Sequence, residues 1–324
     1  MMHAVLLENH LKPLSHLLME PNINEISINK PKEVWVERRG GMVCEKIPEL
    51  TFRHLKNLTQ LIATDTQQYM SEEYPLLSAH LPGGYRIQII YPPVVVDQTI
   101  GISIRKMALP DHDLNWYANP DERMFFEPSI GQKKIQQQLT HLYDTKQYDL
   151  FLRFAIEHKR NILISGGTST GKTTFLNMLL RKIPAQERII TIEDIPEIQV
   201  TQPNVLSLFA SRNQQGRAKV EMQDLVEASL RLRPDRIIIG ELRGSEAFSF
   251  LRAVNTGHPG AIATLHANTP QLAFEQLILM VMQKNLGFTH SQIDRYSRMI
   301  IDVIVQLKKG KHGVRYVSDI YFKK

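Results

Sequence analysis

Residues 161–180 read NILISGGTSTGKTTFLNMLL, and this stretch decides the fold. A short, largely apolar run at 161–165 leads into a loop of Gly, Ser and Thr, and the loop ends in a helix-like run at 173–180. Gly166, Gly167, Thr168, Ser169, Thr170, Gly171, Lys172 and Thr173 fit the spacing GxxxxGKS/T between a strand and a helix. Phosphate chemistry explains these residue types. Glycines let the backbone wrap around phosphate oxygens, successive N–H groups point inward, and the helix N-terminus adds a partial positive charge. Lys172 is placed to meet the β- and γ-phosphates, the Thr173 hydroxyl to ligate Mg²⁺, and Thr174 to assist. The stretch therefore implies a nucleotide site for ATP and Mg²⁺.

Around this loop, strand-like runs recur at 161–165, 188–192, 205–209, 236–240 and 261–265, with helices between several of them. That alternation predicts a mostly parallel sheet. In such a sheet ligands gather at the carboxyl ends of the strands. The run RIIIGE at 236–241 ends in a carboxylate at that edge, so Glu241 is the expected water-activating base. Many nucleotide-binding loops are served by an aspartate just before this point to hold Mg²⁺; here Gly240 stands there, so metal support must come from elsewhere. The run TIEDIPE at 191–197 offers Glu193, Asp194 and Glu197 as oxygen ligands, with Glu193 the preferred contact to Mg²⁺ or its water. The apolar positions at 272–281 have helical spacing and read as core. Residues 300–307 and 314–322 flank a turn at 308–313 and predict a hairpin at the sheet edge.

The N-terminal half reads differently. A short helix at 11–19, strands at 26–29 and 34–38, a helix at 52–68 and strands at 85–90 and 100–105 predict a small mixed α/β unit. The segment 110–131, PDHDLNWYANPDERMFFEPSIG, has no sustained period and reads as a linker. The expected fold class is α/β, with an N-terminal domain at 1–115, a linker at 116–140 and a phosphate-loop domain with a mostly parallel sheet at 141–324.

Composition narrows the class further. A chain of 324 residues with 43% hydrophobic content can bury a substantial core and is not a disordered protein. One cysteine, Cys44, excludes an intramolecular disulfide framework and a four-cysteine zinc site, and a thiol in the core is its ordinary reading. The net charge of +6 favours contact with anionic lipid or nucleic acid, but 39 basic residues are scattered among 33 acidic ones. The N-terminus lacks the pattern of a secretory signal, and the uncharged stretch 253–274 outside its flanking groups carries too many Asn, Gly, His and Pro residues to span a membrane. The expectation is a cytoplasmic protein, peripheral to a membrane.

Four motifs, GGTSTGKTT at 166–174, TIEDIPEI at 191–198, LRLRPDRIIIGELRG at 230–244 and GAIATLHANT at 260–269, occur in the order found in type II and type IV secretion traffic ATPases. They resemble that family's Walker A, Asp, Walker B and His boxes. NEISINKPKEVWVE at 24–37, LPGGYRIQIIYPP at 81–93 and GISIRK at 101–106 are similar to its secretion and conjugation branch, so the resemblance spans almost the whole chain. The resemblance implies an ATP-hydrolysing motor, a homohexameric ring at the cytoplasmic face of the inner membrane, inner-membrane partners of a secretion machine, and a RecA-like C-terminal domain. It further implies nucleotide bound between the two domains, with Arg86 and Arg105 reaching the phosphates and His266 sensing the γ-phosphate. Arg243 reads as a phosphate or intersubunit contact, or else as an ion-pair partner of Glu246, and His258 as a support of the same site. Two other functions stay open at this point, a RecA-like DNA translocase and a nucleotide-dependent ring scaffold that does not hydrolyse. No array of aromatic and basic residues for single strands is visible, and direct nucleic-acid contact is undecided.

Overall fold

The computed structural model describes residues 2–38, 41–106, 128–211 and 216–324. Two sheets organise them. The first is antiparallel throughout, six strands in the order β3-β2-β1-β6-β5-β4. The strands are β1 (Glu25–Lys30), β2 (Glu33–Arg38), β3 (Gly41–Lys46), β4 (Leu76–Leu81), β5 (Tyr85–Ile90) and β6 (Gly101–Arg105). Helices α1 (Met2–Leu11), α2 (Ser15–Met19) and α3 (Phe52–Asp65) accompany this sheet, and Leu7, Leu17, Leu55, Leu58 and Ile62 share one core with Ile26, Ile28, Ile102 and Ile104. In α3 the buried residues Leu55, Leu58, Thr59 and Ile62 fall on one face, and Thr51 caps the helix by accepting from the His54 amide at 3.2 Å.

The second sheet has seven strands in the order β13-β12-β7-β11-β10-β8-β9, parallel except for the terminal β12–β13 hairpin. The strands are β7 (Ile162–Gly166), β8 (Ile189–Glu193), β9 (Val205–Phe209), β10 (Arg236–Ile239), β11 (Ile262–Leu265), β12 (Val303–Lys309) and β13 (Arg315–Phe322). Its inner strands are apolar at successive positions because both faces are covered. Ile162, Ile164, Ile189, Ile238, Val303 and Val305 point into one core, and Leu163, Ile190, Ile192, Ile237, Ile239 and Ile304 into the other. The first face carries α4 (Pro128–Asp144), α5 (Tyr148–Glu157) and α6 (Lys172–Leu180), and the second α7 (Met222–Ser229), α8 (Glu246–Asn255), α9 (Pro270–Met282) and α10 (His290–Ile300). Phe274, Leu277, Ile278, Met280 and Val281 of α9 are buried, as the helical spacing predicts, whereas Leu272 on the first turn is exposed.

The α/β class, the mostly parallel sheet and the edge hairpin match the expectation. Three points correct it. Helix α4 occupies residues assigned to the linker 116–140: its Ile135, Leu139, Leu142 and Tyr143 line one face against the second sheet, and Tyr143 donates to the Ile320 carbonyl at 2.7 Å. The stretch 107–127 lies outside the described residues. Cys44 is exposed, because β3 is an edge strand with an open pattern. Ile300 closes α10 instead of opening the hairpin, which starts at Val303.

The two sheets meet along a seam of apolar and polar contacts, in which Ile90, Val94 and Val95 share a core with Leu206 and Leu208. Arg188, fully buried, donates through Nη1 to Asn29 Oδ1 at 2.8 Å and Asn204 Oδ1 at 2.7 Å, and Asn29 Nδ2 donates to Asn204 Oδ1 at 2.9 Å. Arg233 pairs with Glu37 across the same boundary, and Phe209 N donates to the Val94 carbonyl at 2.8 Å.

Candidate functional site

Four adjacent strands, β7, β11, β10 and β8, run parallel and end at one edge of the second sheet. The residues that leave that edge are the loop 166–171 after β7, His266 after β11, Glu241 after β10 and Glu193 at the end of β8. Chain order is β7, β8, β10, β11, so the crossovers place His266 between the loop and Glu241.

Backbone geometry forces the loop's residue types. Gly171 has φ of +89° and precedes the first helical residue, Lys172, with no side chain capping the helix. At Gly166 a Cβ would meet Thr170 Oγ1 and, at 3.0 Å, the Leu307 carbonyl oxygen. Lys172 Nζ donates to the carbonyls of Gly166 at 3.1 Å and Gly167 at 3.3 Å, and it lies 3.2 Å from His266 Nδ1 and 3.3 Å from Nε2. Burial pushes its ammonium below the usual lysine range, against the opposing attraction of Glu241.

Glu241 is the hub of the site. Its Oε1 lies 3.3 Å from His266 Nε2 and accepts from Arg243 Nε at 2.8 Å, while Arg243 Nη1 donates to Asp194 Oδ2 at 2.7 Å. A continuous polar chain therefore runs Lys172, His266, Glu241, Arg243, Asp194. Glu246 does not pair with the Arg243 guanidinium; its Oε1 accepts from the backbone amides of Arg243 at 2.6 Å and Gly244 at 2.9 Å. Gly240 is explained by the neighbouring strand: a Cβ there would stand 3.1 Å from Glu193 Cβ.

The second acidic cluster is arranged differently from the expectation. Glu193 is buried, and its Oε2 accepts from the amides of Glu197 at 2.8 Å and Ile198 at 2.9 Å, so it ties down the turn after β8. Desolvation raises its carboxyl above the ordinary value, partly offset by those two amides. The carboxylate that meets Thr173 is Glu197, whose Oε2 accepts from Thr173 Oγ1 at 3.1 Å. Hydroxyl and carboxylate are hard oxygen donors suited to Mg²⁺. Among the described residues no group of three or more His, Cys, Asp or Glu side chains could hold a metal.

The remaining predicted residues fall as follows. Thr170 Oγ1 donates to the Gly167 carbonyl at 2.9 Å, and Ser169 has φ of +61° in the same turn. Thr168 belongs to the loop, and Thr174 sits on the first turn of α6 and lines a pocket beside it. Arg86 and Arg105 are exposed and directly opposite each other on β5 and β6, and no hydrogen bond or ion pair among the described residues joins them to the loop. His258 accompanies the end of α8, its Nδ1 3.2 Å from the Ala253 carbonyl, and is not among the partners of the polar chain. Sequence reasoning missed the pocket beside the loop. It measures about 600 Å³ and is walled by α6 and the C-terminal hairpin, including Phe175, Met178, Arg315 and Tyr316. The basic run at 308–315 was the available signal.

A profile for type II/IV secretion system proteins matches residues 8–307. The type IV secretion system protein VirB11 of Bartonella henselae is 40% identical over 326 aligned residues, which cover 96% of this chain and 91% of that protein. The type IV secretion system protein PtlH of Bordetella pertussis is 35% identical over 320 residues, covering 97% and 94%. Among solved structures, the VirB11 ATPase of the Brucella suis type IV secretion system, crystallised in complex with sulphate, superposes with a TM-score of 0.90 at 35% identity, covering 99% of this chain and 95% of that one.

Proposed function

The chain belongs to the type II/IV secretion system protein family, and we propose that it is the ATP-hydrolysing motor of a type IV secretion machine. The observation that carries this reading is the convergence of the phosphate loop, His266 and Glu241 on one edge of the parallel sheet. A loop alone binds phosphate; a carboxylate one imidazole away from the loop lysine adds the group that hydrolysis requires.

The loop amides and Lys172 hold the triphosphate, with Lys172 at the β- and γ-phosphates. Glu241 takes the proton of the attacking water as its oxygen bonds to the γ-phosphorus and ADP leaves. His266, bridging Lys172 and Glu241, registers the presence of the γ-phosphate by which partner it holds. Arg243 keeps Glu241 and Asp194 in register. Thr173 and Glu197 are the residues that would hold Mg²⁺, directly or through water, and Mg²⁺ bound there supplies neutralisation of charge on the β- and γ-oxygens. Glu193 supports them by fixing the turn that carries Glu197.

The exposed Arg86 and Arg105 sit on the N-terminal sheet, where domain closure or a neighbouring subunit would bring them to a phosphate. We extend the reading to an N-terminal domain and a phosphate-loop domain joined by a linker within 116–140, a homohexamer, and other machine components at the cytoplasmic face of a membrane. Among the described residues no helix is long and apolar enough to cross one. The deciding experiment is phosphate release by the purified full chain with ATP and Mg²⁺, alongside native mass measurement with and without nucleotide. Release that persists in Lys172→Ala would assign the activity to a contaminant and sink the proposal.

A further inference from the structure

Away from the phosphate loop, the second face of the parallel sheet carries an aromatic pocket between α8, α10 and the connection 283–289 that joins α9 to α10. It measures about 470 Å³, within the range of binding sites for small groups. Val281 and Ile293, both buried, line it together with Phe248, Phe288 and Tyr296. The rings of Phe248 and Phe288 lie 6.2 Å apart, centre to centre. None of Lys172, His266 or Glu241 lines this pocket, so it is separate from the polar chain.

Phe288 is 49% exposed, and Leu286 and Met282 on the same short stretch of chain are exposed as well. Three large apolar side chains gathered at the rim of a concave site mark a surface that a partner covers. Aromatic anchors of this kind dominate the energetics where proteins meet.

Charge decides what that partner presents. Among the described residues, Arg252 is the one charged side chain in the lining, and no carboxylate accompanies it. Its guanidinium lies 5.7 Å from the centre of the Phe248 ring, a cation–π contact that narrows the conformations open to it. The acidic side chains on the neighbouring helices are engaged elsewhere. Asp294 accepts from Arg298 Nε at 2.8 Å, and Glu275 pairs with His290 at 2.8 Å. Among the described residues neither Arg252 nor Arg295, exposed on α10 between Ile293 and Tyr296, forms an ion pair. An aromatic pocket with unpaired cations and no carboxylate in its wall complements an apolar group that carries a negative charge beside it, and it repels a basic segment. An anionic bilayer is bound by clusters of four or more basic residues, whereas here a single arginine sits in the wall of a concave site.

We propose that this pocket docks a segment of a partner protein in which a large apolar side chain stands beside aspartate or glutamate. The apolar group enters among Phe248, Phe288 and Tyr296, and the carboxylate pairs with the planar fork of Arg252. Docking of this kind requires no nucleotide, so it stands or falls separately from the ATPase reading.

The test uses the purified full chain without nucleotide and three fluorescein-labelled hexapeptides. In the first a Leu-Phe pair is flanked by glutamates, in the second by lysines, and in the third Ala-Ala replaces the pair between glutamates. Fluorescence anisotropy should show saturable binding of the first and about tenfold weaker binding of the other two. Phe288→Ala should weaken the first peptide about tenfold, and Arg252→Glu should weaken it by a similar factor while improving the lysine peptide. Lys133→Glu, which reverses an exposed charge on α4, should stay within about twofold of wild type. A melting curve for each variant confirms folding, and Phe288→Gln stands in if the alanine variant is unstable. A folded wild type that binds none of the peptides overturns the proposal, as does equal affinity for the glutamate and lysine peptides or unchanged affinity in Phe288→Ala. Binding to phosphatidylglycerol vesicles that Phe288→Ala abolishes, without peptide binding, would give the pocket to lipid. A drop in native mass for that variant would give it to a second copy of the chain. Either result overturns the partner assignment and leaves the ATPase reading untouched.

Discussion

Thr173 donates its hydroxyl proton to Glu197 at 3.1 Å, while Glu193, four residues earlier, spends an oxygen on two backbone amides. The two carboxylates of one motif are thereby separated into a group that faces the phosphate site and a group that builds the turn. Glu197→Ala should raise the Mg²⁺ concentration for half-maximal ATP turnover several-fold with little change in melting temperature. Glu193→Ala should destabilise the fold by about 1–3 kcal/mol through loss of those amide partners. Denaturant melts and Mg²⁺ titrations separate the two effects, and a reversed pattern would return Glu193 to the metal.

Lys172 and Glu241 are linked through His266 but act on different steps. Lys172→Ala should abolish turnover and weaken ATP binding. Glu241→Gln should keep ATP binding and lower kcat by about 10²–10⁴. Stopped-flow binding and phosphate release measure both, and near-normal release by the glutamine variant would remove Glu241 from its role as base.

Arg188 donates to Asn29 and Asn204 from a fully buried position, and burial brings its pKa down to about 10, so it remains charged at neutral pH. Arg188→Ala strands Asn29 Oδ1 and the Leu232 carbonyl, which accepts from Nε at 2.9 Å, while Asn204 Oδ1 keeps its donor Asn29 Nδ2. A loss of about 2–4 kcal/mol is expected in urea unfolding. A loss near zero would mean that the Arg188 hydrogen bonds contribute nothing to holding the sheets together.

Glu25 on β1 is 2% exposed. Desolvation raises its carboxyl above the ordinary value, and the hydrogen bond from Ser103 and the field of Arg188 only partly oppose that. The folded chain therefore holds this proton more tightly than the unfolded chain does. Its contribution to stability is present at pH below 4.5, the ordinary value, and is lost as pH rises through the raised folded value. Glu25→Gln removes that loss. The melting temperature of the variant relative to wild type should therefore climb as pH rises from 4.5 through the raised folded value. A difference that stays flat with pH would show that Glu25 titrates alike in both states.

The elements that were legible in the sequence were those whose local pattern matched their environment. The strands of the parallel sheet are apolar on both faces, and β5 and β9 fall at the residues expected for them. Strand β3 was not legible, since it begins at a glycine, ends in Glu45 and Lys46, and lies exposed at the sheet edge. Helix α4 was hidden because its face becomes apolar only from Ile135 onward, after a stretch of mixed character. The pocket beside the loop could not be read either, since it is made by residues 174–178 and 315–317, which are far apart in the chain.

What the sequence determined by itself is the phosphate loop and the edge at which the chemistry lies. Local spacing specifies the loop, and parallel strands all deliver their carboxyl ends to one side. What the tertiary structure decided is who stands beside whom along that edge. The order β7-β11-β10-β8 sets His266 between Lys172 and Glu241, and the pairing of β12 with β7 sets Arg315 over Gly171. Lateral order depends on which helices cover which face of the sheet, a matter of non-local packing that no short stretch of residues encodes.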